Sequence, residues 1–193
     1  GDIHVVSLHN YCPIPEGLKQ SKALPDSYSL SSPDSAERKA ALSFTKRTIR
    51  YAKKLKAGAV ILHCGRVQTP DYTKQLCCLK LDTQSAGEFE SLKQQAIEER
   101  EQKKTIFLDQ IFLSLKELAD FAHNEGIFLG IENRIYIREI PNFSEIQMML
   151  ENFSKKGVRY WHDTGHAYVL DKLGFTSHIH YLKAYHRSLL GIH

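Results

Sequence analysis

Five short apolar runs punctuate the chain: "IHVVSLH" (3–9), "AVILH" (59–63), "IFLGIE" (127–132), "VRYWHD" (158–163) and "SLLGIH" (188–193). Their length and their β-branched and aromatic content predict buried strands. Between them apolar residues recur at helical spacing. In "SSPDSAERKAALSFTKRTIRYAKKLKAG", Ser32 is placed to cap and Pro33 suits a first helical position. Leu42, Thr45, Ile49, Ala52 and Leu55 then form a stripe that Gly58 ends. A longer helix is predicted over about 88–124, with Ile111, Leu115, Leu118 and Ala122 on one side and Gly126 as its stop. A third runs from about Ser144 to Lys155, and 165–187 supplies one or two short helices. Alternating strands and helices predict an α/β fold, a parallel sheet with helical crossovers. The segments 10–32 and 64–86 lack periodicity and read as long loops, which in a compact domain are usually functional or mobile.

Each apolar run stops on a residue able to bind a metal: His9, His63, Glu132, Asp163 and His193. The last three are evenly spaced, 163 − 132 = 31 and 193 − 163 = 30, about one βα unit apart. Side chains alternate faces along a strand, so the positions between these residues and their face-mates should meet the helices. Those positions are Val6, Leu8, Val60, Leu62, Ile127, Leu129, Ile131, Leu190 and Ile192, all aliphatic as a helix-covered face requires. The other face carries Ser7, Ile61, Gly130 and Gly191, compact enough for a crowded interior. The run 158–163 departs from this pattern, because Tyr160 and His162 would face the helices.

In an α/β barrel the carboxyl ends of the strands converge on one mouth, where polar residues read as site rather than scaffold. Three imidazoles and two carboxylates gathered there would make a metal centre. A single strand-end His or Asp more often anchors a loop or caps a helix, and Asp163 is placed to cap a helix starting near Gly165. His166 returns across a Thr-Gly turn to the same mouth, as a ligand or as a donor to a substrate oxygen. Cys64 follows His63 and is read as a small buried hydrophobe unless it nears the centre. His4, His123, His162, His178, His180 and His186 read as structural or exposed.

Composition narrows the class. With 193 residues, 42% hydrophobic and 25% charged, the chain is long enough for one domain with a core, taken as 1–193. No apolar run approaches the ~20 residues that cross a bilayer, and the first residues lack the order of a signal peptide, so a cytoplasmic location is expected. The four cysteines form no paired motif and read as reduced thiols. A net charge of +4 permits a phosphate-bearing partner, but the basic residues are interspersed with acids in runs such as "EEREQKK" and form no nucleic-acid stripe.

"LHCG", "LGIENR", "HDTGHA" and the terminal "LLGIH" resemble successive strand-end motifs of the xylose isomerase-like TIM-barrel superfamily, which holds sugar phosphate isomerases and epimerases and endonuclease IV-type enzymes. The resemblance runs from His9 to His193. It implies a partial TIM barrel with strands 3 to 7 of eight, since the whole fold takes about 250 residues. It also implies a divalent metal (Mn, Mg or Zn) held by Glu132, Asp163 and His193 and completed by a glutamate on an eighth strand that this sequence does not contain. His63 and His9 are further candidate ligands. In a sugar isomerase of this kind Glu132 is the candidate catalytic base, with the eighth-strand glutamate as its counterpart across the substrate; His166 is the other candidate catalytic residue, hydrogen-bonding the substrate, and Arg134 and Asn133 are further candidate contacts to a sugar or sugar phosphate. Arg134 is read either as a clamp for phosphate or hydroxyl or as a surface ion-pair residue.

Two alternatives stay open. Extra imidazoles at His9 and His63 fit a multinuclear zinc nuclease cutting DNA at abasic sites, and a binding protein derived from a barrel would keep ligands without turnover. An incomplete barrel exposes unpaired edges at 3–9 and 188–193, which favours dimerisation or poor solubility. Size-exclusion chromatography at rising concentration checks this, and a clean monomer at high concentration counts against it.

Overall fold

The computed structural model describes residues 3–19, 21, 26–82 and 85–193; parts of both expected loops, at 20, 22–25 and 83–84, lie outside the described residues. Strands β1 (Ser7–His9), β2 (Ala59–Leu62), β3 (Phe128–Glu132), β4 (Val158–His162) and β5 (Leu189–Ile192) form one sheet in sequential order. Every pairing is parallel. Helices α1 (Ser35–Lys54), α2 (Tyr72–Leu81), α3 (Ala86–Glu125), α4 (Phe143–Phe153), α5 (Thr164–Lys172) and α6 (His178–Tyr185) make the connections. The sheet is an arc of a TIM barrel, with β1 and β5 as its edges. Among the described residues no helix is long and apolar enough to cross a membrane.

The helix-covered face carries the main core. Val60, Leu62, Leu129, Ile131 and Val158 pack against Ile49 and Ala52 of α1 and Ile111, Leu115, Leu118 and Ala122 of α3. Each such side chain contributes about 1.5–3 kcal/mol by leaving water. α3 is 40 residues long, roughly 60 Å. Its C-terminal half lies on the sheet, while Phe89 and Ala96 of its first half pack with Tyr72 and Leu76 of α2 and Leu173 beyond α5. α2 falls inside the expected loop 64–86. It was hidden because only Tyr72, Thr73 and Leu76 of its ten residues are buried, too short a stripe to show a period.

Three local details differ from the sequence pattern. Asp34, not Ser32, caps α1, accepting from the Ala36 N–H; Ser32 instead donates to Glu37 Oε2 and accepts from the Asp34 N–H. α1 ends at Lys54, and Lys56 (φ 57°) turns the chain before Gly58, so Leu55 is exposed. On the sheet edges Val6 and Ile192 are exposed rather than covered. Tyr160 and His162 do face the helices, where Tyr160 joins Ile146, Ala167, Tyr181 and Tyr185 in a second core.

The inner face is organised by Trp161. Its ring packs with Ala59, Ile61 and Leu190. A β-bulge between Tyr160 and Trp161 sets Tyr160 opposite Leu189 and Trp161 opposite Gly191, so Leu189 joins the aromatic core and Leu190 turns inward, against the expectation for Leu190. Gly130 and Gly191 are small because the indole lies over both: a Cβ at Gly130 would stand 3.2 Å from the ring, and one at Gly191 would overlap it. Gly191→Ala should therefore cost about 1–3 kcal/mol in urea unfolding. Trp161→Leu in the same chain should recover part of that loss, and no recovery would show that the ring is not what excludes a side chain at 191.

Candidate metal centre

All five strand-end residues converge at the carboxyl edge of the sheet. Glu132, the last residue of β3, is 1% exposed and stands at the centre. Its two oxygens face different neighbours. Oε1 accepts from His193 Nδ1 at 2.8 Å, and that nitrogen lies 3.9 Å from Asp163 Oδ2. Oε2 accepts from His63 Nε2 at 2.9 Å and Arg134 Nη1 at 2.9 Å, with His9 Nε2 3.7 Å away.

Each of three imidazoles is oriented through its other nitrogen, the arrangement that fixes a metal-ligating histidine. His9 Nδ1 donates to the Asn10 carbonyl at 3.0 Å and His166 Nδ1 to the Asn133 carbonyl at 2.9 Å, while His63 donates through Nδ1 to Asp26 at 3.0 Å and through Nε2 to Glu132, so it would ligate only on giving up its Nε2 proton. A carbonyl only accepts, so His166 carries its proton on Nδ1 and Nε2 is left for an ion or substrate. Ligand atoms of His9, His63 and Glu132 lie within 4.8 Å of one another, as do those of Glu132, Asp163 and His166. Mixed imidazole and carboxylate donors at this spacing fit a divalent cation.

The charges are interlocked. Burial alone would raise the Glu132 carboxyl, but His63 and His9 outweigh it and hold the group well below the ordinary carboxylate range. Burial pulls His63 down, yet its bonds to Asp26 and Glu132 raise it above an ordinary imidazole. Asp26, despite desolvation, is held low by His63 and Arg134. Cys64 is fully buried in the main core, and burial pushes its thiol up to about 12, so it behaves as a small hydrophobe.

Asp163 has two uses. Oδ1 caps α5 by accepting from the His166 N–H at 2.7 Å, while Oδ2 points toward His193. Asn133 is fully buried, and its amide bridges the ends of β3 and β4. Oδ1 accepts from the Asp163 N–H at 2.8 Å and from the Tyr160 hydroxyl at 3.0 Å, and Nδ2 donates to the Asp163 carbonyl at 2.9 Å. Those bonds engage the amide with the Asp163 backbone and the Tyr160 hydroxyl. Arg134 is also buried, at 4%, not at the surface: Nη1 bonds Glu132, and Nη2 bonds Glu139 at 2.6 Å and lies 3.5 Å from Asp26. Its bonds go to protein carboxylates, where the sequence allowed a phosphate clamp. Asp26 and Glu139 were not singled out from the sequence. Asp26 arrives from the aperiodic first loop, and Glu139 from the β3–α4 connection, where no periodic signal exists.

A model of the xylose isomerase-like TIM barrel matches residues 7–188. The chain belongs to that family. Comparison with curated proteins finds no match. Among solved structures it is similar to D-allulose 3-epimerase from Methylomonas sp., with a TM-score of 0.63, 11% identity, and 98% of this chain and 61% of that one covered. The 3-keto-D-glucoside 4-epimerase YcjR from E. coli gives 0.60, 11%, 86% and 54%. A D-psicose 3-epimerase solved in the presence of D-fructose gives 0.55, 21%, 86% and 47%. At these identities the likeness is one of fold. This member of the family spans 47% to 61% of the length of those three chains.

If Asn133 sets the Asp163 geometry, Asn133→Leu strands the Asp163 N–H and carbonyl, at about 1–3 kcal/mol for each left unpaired, while the Tyr160 hydroxyl keeps His162 Nδ1 at 2.6 Å. Asn133→Asp keeps the acceptor and should recover part. A loss below about 1 kcal/mol for Asn133→Leu in urea titration would mean that Asp163 is held from elsewhere.

Proposed function

We propose that this protein acts on a sugar or sugar phosphate as a metal-dependent isomerase or epimerase, by proton abstraction α to a carbonyl through an enediolate. The family supports the reading, as do neighbours described as sugar epimerases, one of them in complex with D-allulose and another with D-fructose present. A divalent ion held by Glu132, Asp163 and His193, with His63 and His9 alongside, would polarise the substrate carbonyl and stabilise developing negative charge. The chain's own residues supply the rest. Glu132 is ionised, as a ligand to a divalent ion must be, and is the proposed base; Asp163 caps α5 with Oδ1 and turns Oδ2 toward His193, and His166 presents Nε2 in a fixed tautomer for a substrate hydroxyl.

The observation that carries this reading is the division of Glu132. Oε1 accepts from His193 Nδ1, which lies 3.9 Å from Asp163 Oδ2, whereas Oε2 already accepts from the Arg134 guanidinium at 2.9 Å. A fixed cation there repels a second dication, which favours one metal per chain. The zinc-nuclease alternative is favoured by the closeness of His9 and His63 to Glu132 and opposed by that same guanidinium.

Incubation with D-fructose or D-allulose and Mn, Mg or Zn should give interconversion that chelation abolishes and Glu132→Gln lowers by about 10²–10⁴-fold. Metal analysis should return one ion per chain. Cleavage of abasic-site DNA with three zinc ions and no ketose turnover would replace this reading by the nuclease one. Sugar binding without turnover under every metal would replace it by a binding role.

A further inference from the structure

Tyr160 and His162 are fully buried on the helix-covered face of β4, behind the mouth at which the candidate ligands gather. Packing alone does not call for polar groups there, since the same face of the two strands beside β4 in the arc carries Leu62, Leu129 and Ile131. His162 Nε2 has no partner among the described residues, and its ring meets that of His178 edge to face, at 4.8 Å and 77°. An imidazole held in a dry core with one nitrogen unused calls for a reason.

The Asp163 backbone has a polarity that cannot change. Its N–H donates to one end of the Asn133 side chain at 2.8 Å, and its carbonyl accepts from the other end at 2.9 Å. An amide turned end for end would set donor against donor and acceptor against acceptor, so the end that also meets the Tyr160 hydroxyl, at 3.0 Å, is the oxygen Oδ1. That oxygen only accepts, so Tyr160 directs its single proton to Asn133. Burial pushes the phenol well above its ordinary value, which keeps the proton in place. The hydroxyl then offers His162 only lone pairs, and His162 Nδ1, 2.6 Å away, is the donor. With Nε2 protonated instead, a buried N–H would lack an acceptor and two oxygens would face each other without a proton.

We propose that Tyr160 is a positioning residue for the mouth of the barrel, held in one hydroxyl direction by His162. The order runs from His162 Nδ1–H to Tyr160, from the Tyr160 hydroxyl to Asn133, and from Asn133 to the Asp163 backbone. The Asn133 carbonyl also takes the His166 Nδ1–H, so the last member of the series holds both Asp163 and His166. Hydrogen bonds in such a series strengthen one another, and groups behind a metal ligand set affinity as well as orientation. The effect on a metal rests on the proposed function; the order of protons does not.

Long-range proton–nitrogen NMR of the metal-free protein at about pH 8, above the ordinary imidazole value, reads the His162 tautomer, with His162→Leu to assign the signal. The proton is expected on Nδ1 and Nε2 should be bare; this measurement stands even if Tyr160→Phe fails to fold. In Tyr160→Phe the Asp163 amide should exchange with heavy water about tenfold faster, the worth of one net hydrogen bond. Co²⁺, titrated as the probe metal, should bind that variant about 10–100-fold more weakly. Tyr181→Phe removes a hydroxyl from the same aromatic core, one whose partner is Thr176, and should change neither quantity. Failure of the unaltered protein to bind Co²⁺ would sink the metal reading, while the tautomer and the Asp163 exchange, both measured without metal, still decide the positioning role. A proton on Nε2 with Nδ1 bare, unchanged Asp163 exchange in Tyr160→Phe, unchanged Co²⁺ affinity there when the unaltered chain binds, or equal losses in Tyr181→Phe would overturn the proposal.

Discussion

A carboxylate with one per cent of its surface in water stays ionised only if donors and cations enclose it, and Glu132 is in that position. Its partners come from separate pieces of chain: His63 after β2, Arg134 after β3, and His193 after β5. Arg134 is two residues away on the same segment, but neither His63 nor His193 can reach Glu132 unless the strands lie parallel and in sequential order, with their carboxyl ends level. The sheet order, the helices that cover its far face and the bridge made by Asn133 all serve that convergence. The ion cluster in turn ties together strand ends at which the ladder has stopped. Breaking one such buried partnership leaves a charge uncompensated, which is more damaging than the absence of the pair would be.

The parts of this arrangement that repeat were readable from sequence. Five apolar runs each ending on His, Glu or Asp identify the strands and their mouth, because burial on both faces demands aliphatic stretches and the open rim tolerates polar ends. The long stripe of Ile111, Leu115, Leu118 and Ala122 identifies the helix that covers the sheet, and all four prove fully buried. Cys64, beside a ligand in sequence, lies on the opposite side of the strand in the core, as its alternation with His63 implies.

What escaped the sequence lacks periodicity or depends on distant partners. Asp26 reaches His63 and Arg134 from an irregular segment, and no local pattern distinguishes it from any loop aspartate. Arg134 looks like a surface residue in isolation; Glu139, five positions later, is what makes its burial possible. Asn133 stands beside the central glutamate and so reads as a substrate contact, yet the Tyr160 hydroxyl and the Asp163 backbone absorb its amide. The inward turn of Leu190 follows from a one-residue bulge, and period-two patterning cannot announce an irregularity of its own.

The indole that fills the concave side also touches the rim, since the Trp161 and His193 rings are 5.1 Å apart at an interplanar angle of 65°. Positions 130, 161 and 191 are therefore coupled through one packing contact. Among relatives, a larger residue at either glycine should co-occur with a smaller ring at 161, and the imidazole at 193 would then lose the surface that backs it. Anyone reshaping the lumen of this barrel arc changes the site's geometry in the same stroke.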